Sequence, residues 1–159
     1  RGEKLYGWQG RAIPPLQEGR LRLVNSTGFN KSRFLLNYDR AKTEEKLVLV
    51  EGPFDCLHAD VAGVGAVCSF GKTVSPHQIK MLLETSAKEV YIGLDKDAAD
   101  EVHDLAEALS PSKRVFRMMP PDHRKDFGEC SEQEVLESIG QATEFSGYPS
   151  SRLEVYFKS

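Results

Sequence analysis

A chain of 159 residues with 40% hydrophobic and 28% charged side chains and a net charge of −3 has the balance of a soluble globular protein with one full core, not that of a fibrous or disordered segment. No run approaches the ~18 consecutive apolar residues of a membrane span, so no membrane partner is expected. The three cysteines, Cys56, Cys68 and Cys130, lack paired or CxxC spacing. That argues against a disulfide framework or a zinc site and, with no signal peptide visible, makes a reducing, cytoplasmic setting the default.

The chain starts at Arg1 inside sequence that already reads as structured, so a fragment of something longer is expected. Residues 1–46 hold ten lysines and arginines against five acids, or +5, which leaves −8 for the remainder. A basic leading part joined to an acidic body fits phosphates held by the first and cations held by the second; an unevenly charged solvated surface fits equally well.

From Leu47 the periodicity changes. Short apolar runs alternate with helical patterns: a strand LVLVE, a helix from Asp55 to Val61, a strand GAVCS, a helix from Pro76 to Ala87, a strand EVYIGL, a helix from Ala98 to Leu109, a strand KRVFRMM and a helix from Glu132 to Ile139. Units of this length predict a parallel sheet covered by helices on both faces, with right-handed crossovers. Ligands of such sheets sit beyond the carboxyl ends of the strands.

The acids fall there. Glu51 closes the first strand, and Gly52 and Pro53 turn the chain into a helix that Asp55 is placed to cap. Asp95 and Asp97 leave the third strand two residues apart, and in an extended segment such positions share a side. Three converging carboxylates repel one another, and a hard divalent cation, Mg²⁺ or Mn²⁺, relieves that cost. The loop PPDHRKDFGEC adds Asp126 and Glu129 at the same edge. Asp55 and Asp126, each taken singly, also fit helix-cap or turn roles.

Other features carry less. FGKT at Phe70–Thr73 resembles the end of a P-loop, but that pattern needs a glycine where Ala66 stands. Gly71 then reads as a turn glycine and Lys72 as a nucleotide or backbone contact. His58, His77, His103 and His123 have no ligand spacing. Trp8 could stack on a base, although a lone tryptophan is more often core.

EGPFDCL followed by GLDKDAAD resembles the paired signatures of the Toprim domain, in which one strand ends in Glu-Gly and a later one in Asp-x-Asp. The leading GWQGRAI and RLRLVNSTGFNKSRFLLNYDRA are similar to the stretch that precedes Toprim in DnaG-type primases, and FGKTVSPHQIKML and KDFGECSEQEVLESI look like their bacteriophage and plasmid versions. The sequence departs from the common Asp-x-Asp-Ala-Gly pattern, since Asp97 is followed by Ala98, Ala99 and Asp100.

The resemblance implies an α/β fold, a Toprim-type parallel sheet flanked by helices and preceded by part of a smaller basic α+β subdomain. It places that subdomain at residues 1–45, Toprim at 46–145 and a tail at 146–159. It implies metal-dependent RNA primer synthesis on single-stranded DNA from nucleoside triphosphates, with a two-metal site of Mg²⁺ or Mn²⁺ and no zinc in this piece. Glu51, Asp95 and Asp97 would be catalytic and metal-holding, with Asp126 and Asp55 as further ligands. Arg11, Arg22, Asn25, Lys31 and Lys72 would contact nucleic acid or nucleotide, and a replicative helicase would be a partner in cis or in trans. The alternatives are a Toprim nuclease or recombination protein, and a noncatalytic nucleic-acid-binding module.

Overall fold

In a computed structural model the chain is described over residues 5–145, apart from 14, 16–18, 20 and 22. The expected tail at 146–159 and Arg22 therefore lie outside the described residues. No helix among the described residues is long and apolar enough to cross a membrane. The chain divides into two units, Arg1–Lys31 and Ser32–Ser159.

The small unit is built on an antiparallel pair, β1 (Gln9–Arg11) and β2 (Leu23–Asn25), with Gly10 opposite Val24. The Gln9 side-chain amide donates to Asn25 Oδ1 at 2.9 Å, and the Trp8 N–H donates to Ser26 Oγ at 3.1 Å. Trp8 is 53% exposed and Tyr6 60%, so the expectation that a lone tryptophan belongs to a core does not hold here. Two three-residue strands enclose too little volume to bury an indole.

The large unit has a five-stranded sheet in the order β4-β3-β5-β6-β7, made of β3 (Lys46–Val50), β4 (Gly65–Cys68), β5 (Glu89–Gly93), β6 (Arg114–Arg117) and β7 (Thr143–Glu144). β3, β4, β5 and β6 are parallel, as the alternating pattern predicts. β7 runs antiparallel to β6, and Leu36 adds an antiparallel bridge to Cys68 at the other side. Both additions are too short to show a periodicity of their own.

Helices cover both faces, and the period-two alternation along β3 decides which residue meets which layer. Leu47 and Leu49 face a core shared with α1 (Tyr38–Ala41), α3 (Pro76–Glu84) and α4 (Ala99–Leu109), where Ala41, Leu82, Leu105 and Leu109 pack. Val48 and Val50 face α2 (Pro53–Val61) and α5 (Glu132–Gly140), against Cys56, Ala59 and Val135. All four β3 side chains are fully buried, each contributing roughly 1.5–3 kcal/mol. Residues 32–45 pack in this unit, with Leu35 and Ala41 in its core.

The strand order locates the functional edge. The chain leaves β3 toward β4 and leaves β5 in the opposite direction toward β6. The carboxyl ends of the neighbours β3 and β5 therefore flank a topological switch point, where open α/β sheets leave a crevice.

Candidate active site

Glu51 follows β3 directly and lies at that crevice. Its backbone carbonyl accepts from the Cys68 thiol at 3.0 Å, tying the end of β3 to its neighbour. α2 begins two residues later, because Pro53 presets the first helical turn and Gly52 takes an extended N-cap. Asp55 stands at the third helical position and closes the capping box by accepting from the Gly52 N–H at 3.1 Å.

The other Asp55 oxygen accepts from the Gly128 N–H at 2.7 Å. This bond spans 73 residues and fastens the 3₁₀ turn Phe127–Glu129 onto the start of α2. A Cβ at position 128 would lie 3.0 Å from Asp55 Oδ1 and 3.2 Å from Asp126 Oδ1, so a glycine lets two carboxylates approach from different elements. Gly93 has the same use one layer deeper, since a Cβ there would meet the Phe127 ring at 2.8 Å. The ring of Phe127, 2% exposed, thus seats the whole turn on the end of β5.

Asp95 and Asp97 are presented differently from the expectation. β5 ends at Gly93, and the Ala98 N–H donates to the Asp95 carbonyl at 3.0 Å. The two acids therefore sit in a turn, not in an extended segment, and the rule that i and i+2 share a side does not apply to them. The Asp97 side chain is 77% exposed. The turn still holds Asp95 within electrostatic reach of Asp97 and Asp126.

Burial first, and neighbouring acids second, raise the pKa values of Glu51, Asp55 and Asp95. Partial burial lifts the Glu51 carboxyl above the usual range, and Asp95, Asp97 and Asp55 add to it. The Asp95 carboxyl is raised by desolvation and then by Asp126 and Asp97. Asp55 goes up to about 6 through burial and the Asp126 charge, against which its two backbone hydrogen bonds work. Four elements thus bring five acids to one edge, and for Glu51, Asp55 and Asp95 burial and the neighbouring acids oppose ionisation. Among the described residues, no three His, Cys, Asp or Glu side chains are already gathered as a ligand cage. The donor set is one of hard oxygens whose like charge Lys72 and Lys125 offset only in part, and that chemistry fits a divalent ion of the Mg²⁺ or Mn²⁺ type.

Lys72, singled out from the sequence, borders the cluster, and Lys125 also acts on Asp95. The Lys72 Nζ lies 3.9 Å from Asp97 Oδ2 and 3.4 Å from Glu101 Oε1. Glu101, one helical step into α4, had no sequence signal marking it. The loop that carries Lys72 is anchored: the Ser69 hydroxyl donates to the Gly71 carbonyl at 2.7 Å, and the Phe70 N–H donates to Cys68 Sγ at 3.1 Å. Phe70 has φ 62, a left-handed conformation costing a bulky residue about 1–2 kcal/mol. The buried Gln78 side-chain amide supports the strain by donating to the Ser69 and Phe34 carbonyls at 3.0 and 2.8 Å.

Of the remaining expected contacts, Arg11 and Asn25 belong to the β1–β2 pair and Lys31 to the short turn Lys31–Arg33. Asn25 spends its side-chain oxygen on Gln9. Glu129 accepts from the Lys125 N–H at 3.1 Å and so shapes its own loop. The three cysteines are buried, and burial pushes their thiols up, Cys56 to about 12 and Cys130 to about 11. None is a poised nucleophile.

Comparison with known proteins gives the family and the fold. A family model described as Toprim-like matches residues 48–130. A DNA primase of Enterococcus faecalis is 31% identical over 122 residues, covering 74% of this chain and 18% of that protein. Among solved structures, the Aquifex aeolicus primase with its zinc-binding and RNA polymerase domains superposes with a TM-score of 0.71 at 24% identity, over 89% of this chain and 38% of that one. A DnaG primase catalytic domain bound to single-stranded DNA gives 0.69 at 21%, over 87% of this chain and 48% of that one. The DnaG catalytic core gives 0.68 at 22%, over 87% and 49%. The chain spans 18% of the curated relative and 38% to 49% of these solved chains. These likenesses establish the fold, a parallel-dominated sheet flanked by helices.

Proposed function

The chain belongs to the Toprim-like family, and from that premise we propose that it is the catalytic piece of a DnaG-type DNA primase, forming RNA primers on a single-stranded DNA template during replication. The observation that carries this reading is the convergence of Glu51, Asp95, Asp97, Asp126 and Asp55 at the switch point of the sheet, with the Glu51, Asp95 and Asp55 carboxyls raised by their neighbours.

Asp95 and Asp97 would hold the divalent ions, with Asp126 as a further ligand and Glu51 either ligating or exchanging the proton of the attacking hydroxyl. Asp55, with both oxygens on backbone N–H groups, holds the Asp126 turn in place and stands at the margin of that set. The bound ions would supply charge neutralisation for the nucleotide phosphates and activation of the 3′-hydroxyl. The end of β3 orients Glu51, since a rigid element holds a ligand more accurately than a loop, while Asp95 and Asp97 are presented by the turn that follows β5. A carboxyl raised by burial and like charge, as in Glu51, takes up a proton more readily than an ordinary glutamate. Arg11, Asn25 and Lys31, with Arg22 from outside the described residues, would contact template and nucleotide, as would Lys72 once released from Asp97. Such contacts make binding steeply dependent on salt. A replicative helicase in cis or in trans and a cytoplasmic site of action in a bacterial or phage-infected cell belong to the same proposal.

The test is Mn²⁺ binding, read by calorimetry and by thermal shift, on the wild type and on Asp95→Ala with Asp97→Ala. The wild type should bind saturably by calorimetry and gain stability with the logarithm of ion concentration, about 2.7 kcal/mol at a hundred times the dissociation constant, and the double variant should lose both responses. Absence of stabilisation at millimolar ion would overturn the metal reading. Primer synthesis by the longer protein, against DNA cleavage by it, separates the primase from a Toprim nuclease using the same acids.

A further inference from the structure

We propose that Lys72 is a resident counter-cation of the acidic site, its ammonium competing with a divalent ion at Asp97 and so holding metal affinity down. The inference rests on the metal reading given above and deepens it, by assigning a regulator of occupancy to a loop outside the Glu-Gly and Asp-x-Asp elements. Lys72 Nζ stands 3.9 Å from Asp97 Oδ2 and 3.4 Å from Glu101 Oε1, so it bridges the exposed end of the carboxylate cluster and the first turn of α4. Its charge also acts on Glu51, lowering a carboxyl that the neighbouring acids raise.

The position is built into the fold. Ser69 is nearly fully buried, its hydroxyl within bonding distance of the Val50 and Gly71 carbonyls at 3.2 and 2.7 Å. Gln78, 1% exposed, holds the Ser69 carbonyl from α3, and Phe70 is kept at φ 62. An ordinary surface ion pair on a solvated loop needs none of this, and it contributes little. Here the anchored Ser69–Gly71 backbone fixes the point from which the half-exposed Lys72 side chain reaches Asp97 beside the switch point. A divalent ion arriving at Asp97 meets that positive charge and must displace it. Once displaced from Asp97, the lysine keeps Glu101 as a partner and can turn from it toward a phosphate of the incoming nucleotide.

Mn²⁺ titration of the full chain by calorimetry, in the wild type and in Lys72→Gln, Lys72→Ala, Lys72→Arg and Lys80→Gln, tests this. Lys80 pairs with Glu84 on α3 at 4.0 Å and controls for loss of a distant positive charge. Lys72→Gln and Lys72→Ala should bind Mn²⁺ about five- to tenfold more tightly at low salt, as expected for removing one half-exposed charge a few ångströms from a divalent site. Lys72→Arg should stay within about twofold of the wild type, Lys80→Gln should not move, and 0.5 M salt should compress the difference. Equal or weaker Mn²⁺ affinity in Lys72→Gln and Lys72→Ala, with a wild type that binds, overturns this inference and leaves the metal reading standing. No saturable binding in any variant overturns both.

Discussion

Replacing Gly93 by alanine probes the joint on which the site is assembled. Gly93 ends β5 with ordinary negative-φ backbone, so alanine meets no conformational penalty, and its entropic effect on the unfolded chain favours stability by about 0.4–1 kcal/mol. The added methyl would nevertheless lie 2.8 Å from Phe127 Cε2, 3.4 Å from Cδ2 and 3.5 Å from Val50 Cγ1. Phe127 is 2% exposed and Val50 fully buried, so neither can swing into solvent. Overpacking of this kind costs typically 1–3 kcal/mol, leaving a net loss of about 1–2 kcal/mol, or a Tm lower by roughly 3–8 °C. Displacing Phe127 also draws the Gly128 N–H and Asp126 away from Asp55, so the stabilisation by Mn²⁺ should shrink with it. Thermal and urea unfolding of Gly93→Ala, Phe127→Leu and the double variant provide the check. Phe127→Leu makes room for the methyl, so the double variant should be less destabilised than the two single effects added. A Gly93→Ala protein that unfolds within 1 °C of the wild type, or costs that simply add, would refute the packing argument.

Asp55, with a folded-state pKa of about 6 against an ordinary 3.8, makes the metal-free fold bind more protons than the unfolded chain between roughly pH 4 and 6, so stability falls as pH rises through that window. After allowance for partial exposure the loss is about 1–2 kcal/mol; urea unfolding at pH 4.5 and 7 should show it, with a flatter profile in Asp55→Asn, and an opposite slope would contradict the assignment. Gln78→Leu leaves the Ser69 and Phe34 carbonyls and the Ser75 N–H without their partner and should cost about 2–4 kcal/mol by denaturant unfolding; a loss under 1 kcal/mol would mean that these groups find water. Ser131→Ala removes the hydroxyl that accepts from the Glu134 N–H at the start of α5 and should cost about 1 kcal/mol, measurable in the same assay.

The strands and long helices of the large unit were legible because burial on both faces writes itself as runs such as LVLV and EVYIG, and each helix carries its start signal. Ser75-Pro76 and Ser131 followed by Glu134 form capping boxes in the structure. Glu51, Asp95, Asp97 and Asp126 could be placed at one edge from the alternation of elements alone, since parallel strands send all their carboxyl ends the same way. The antiparallel β7 and the Leu36 bridge were not legible, as two paired residues or one have no period. Nor was the turn at Asp95, because GLDKDAAD reads equally well as a strand running one residue further.

What sequence reasoning could not reach is the set of contacts that turn a row of acids into a site. Gly128 against Asp55, Phe127 against Gly93 and Lys72 against Glu101 join residues 73, 34 and 29 positions apart, and no local pattern encodes which residue of one loop meets which of another. Gly93 and Gly128 carried no sequence signal of their own, yet both are needed because something occupies the space of their missing Cβ. A chain that excludes a side chain at Gly93 and Gly128 gains close approach of loop and strand, and with it like charges that oppose their own ionisation. That instability is local and electrostatic, and a cation can relieve it: Lys72 in part from within the chain, a divalent ion more fully from outside. If the two compete, the apparent metal affinity of this fold is a property of the Ser69–Lys72 turn as much as of the carboxylates, and swapping that turn alone should retune it while the acids stay unchanged.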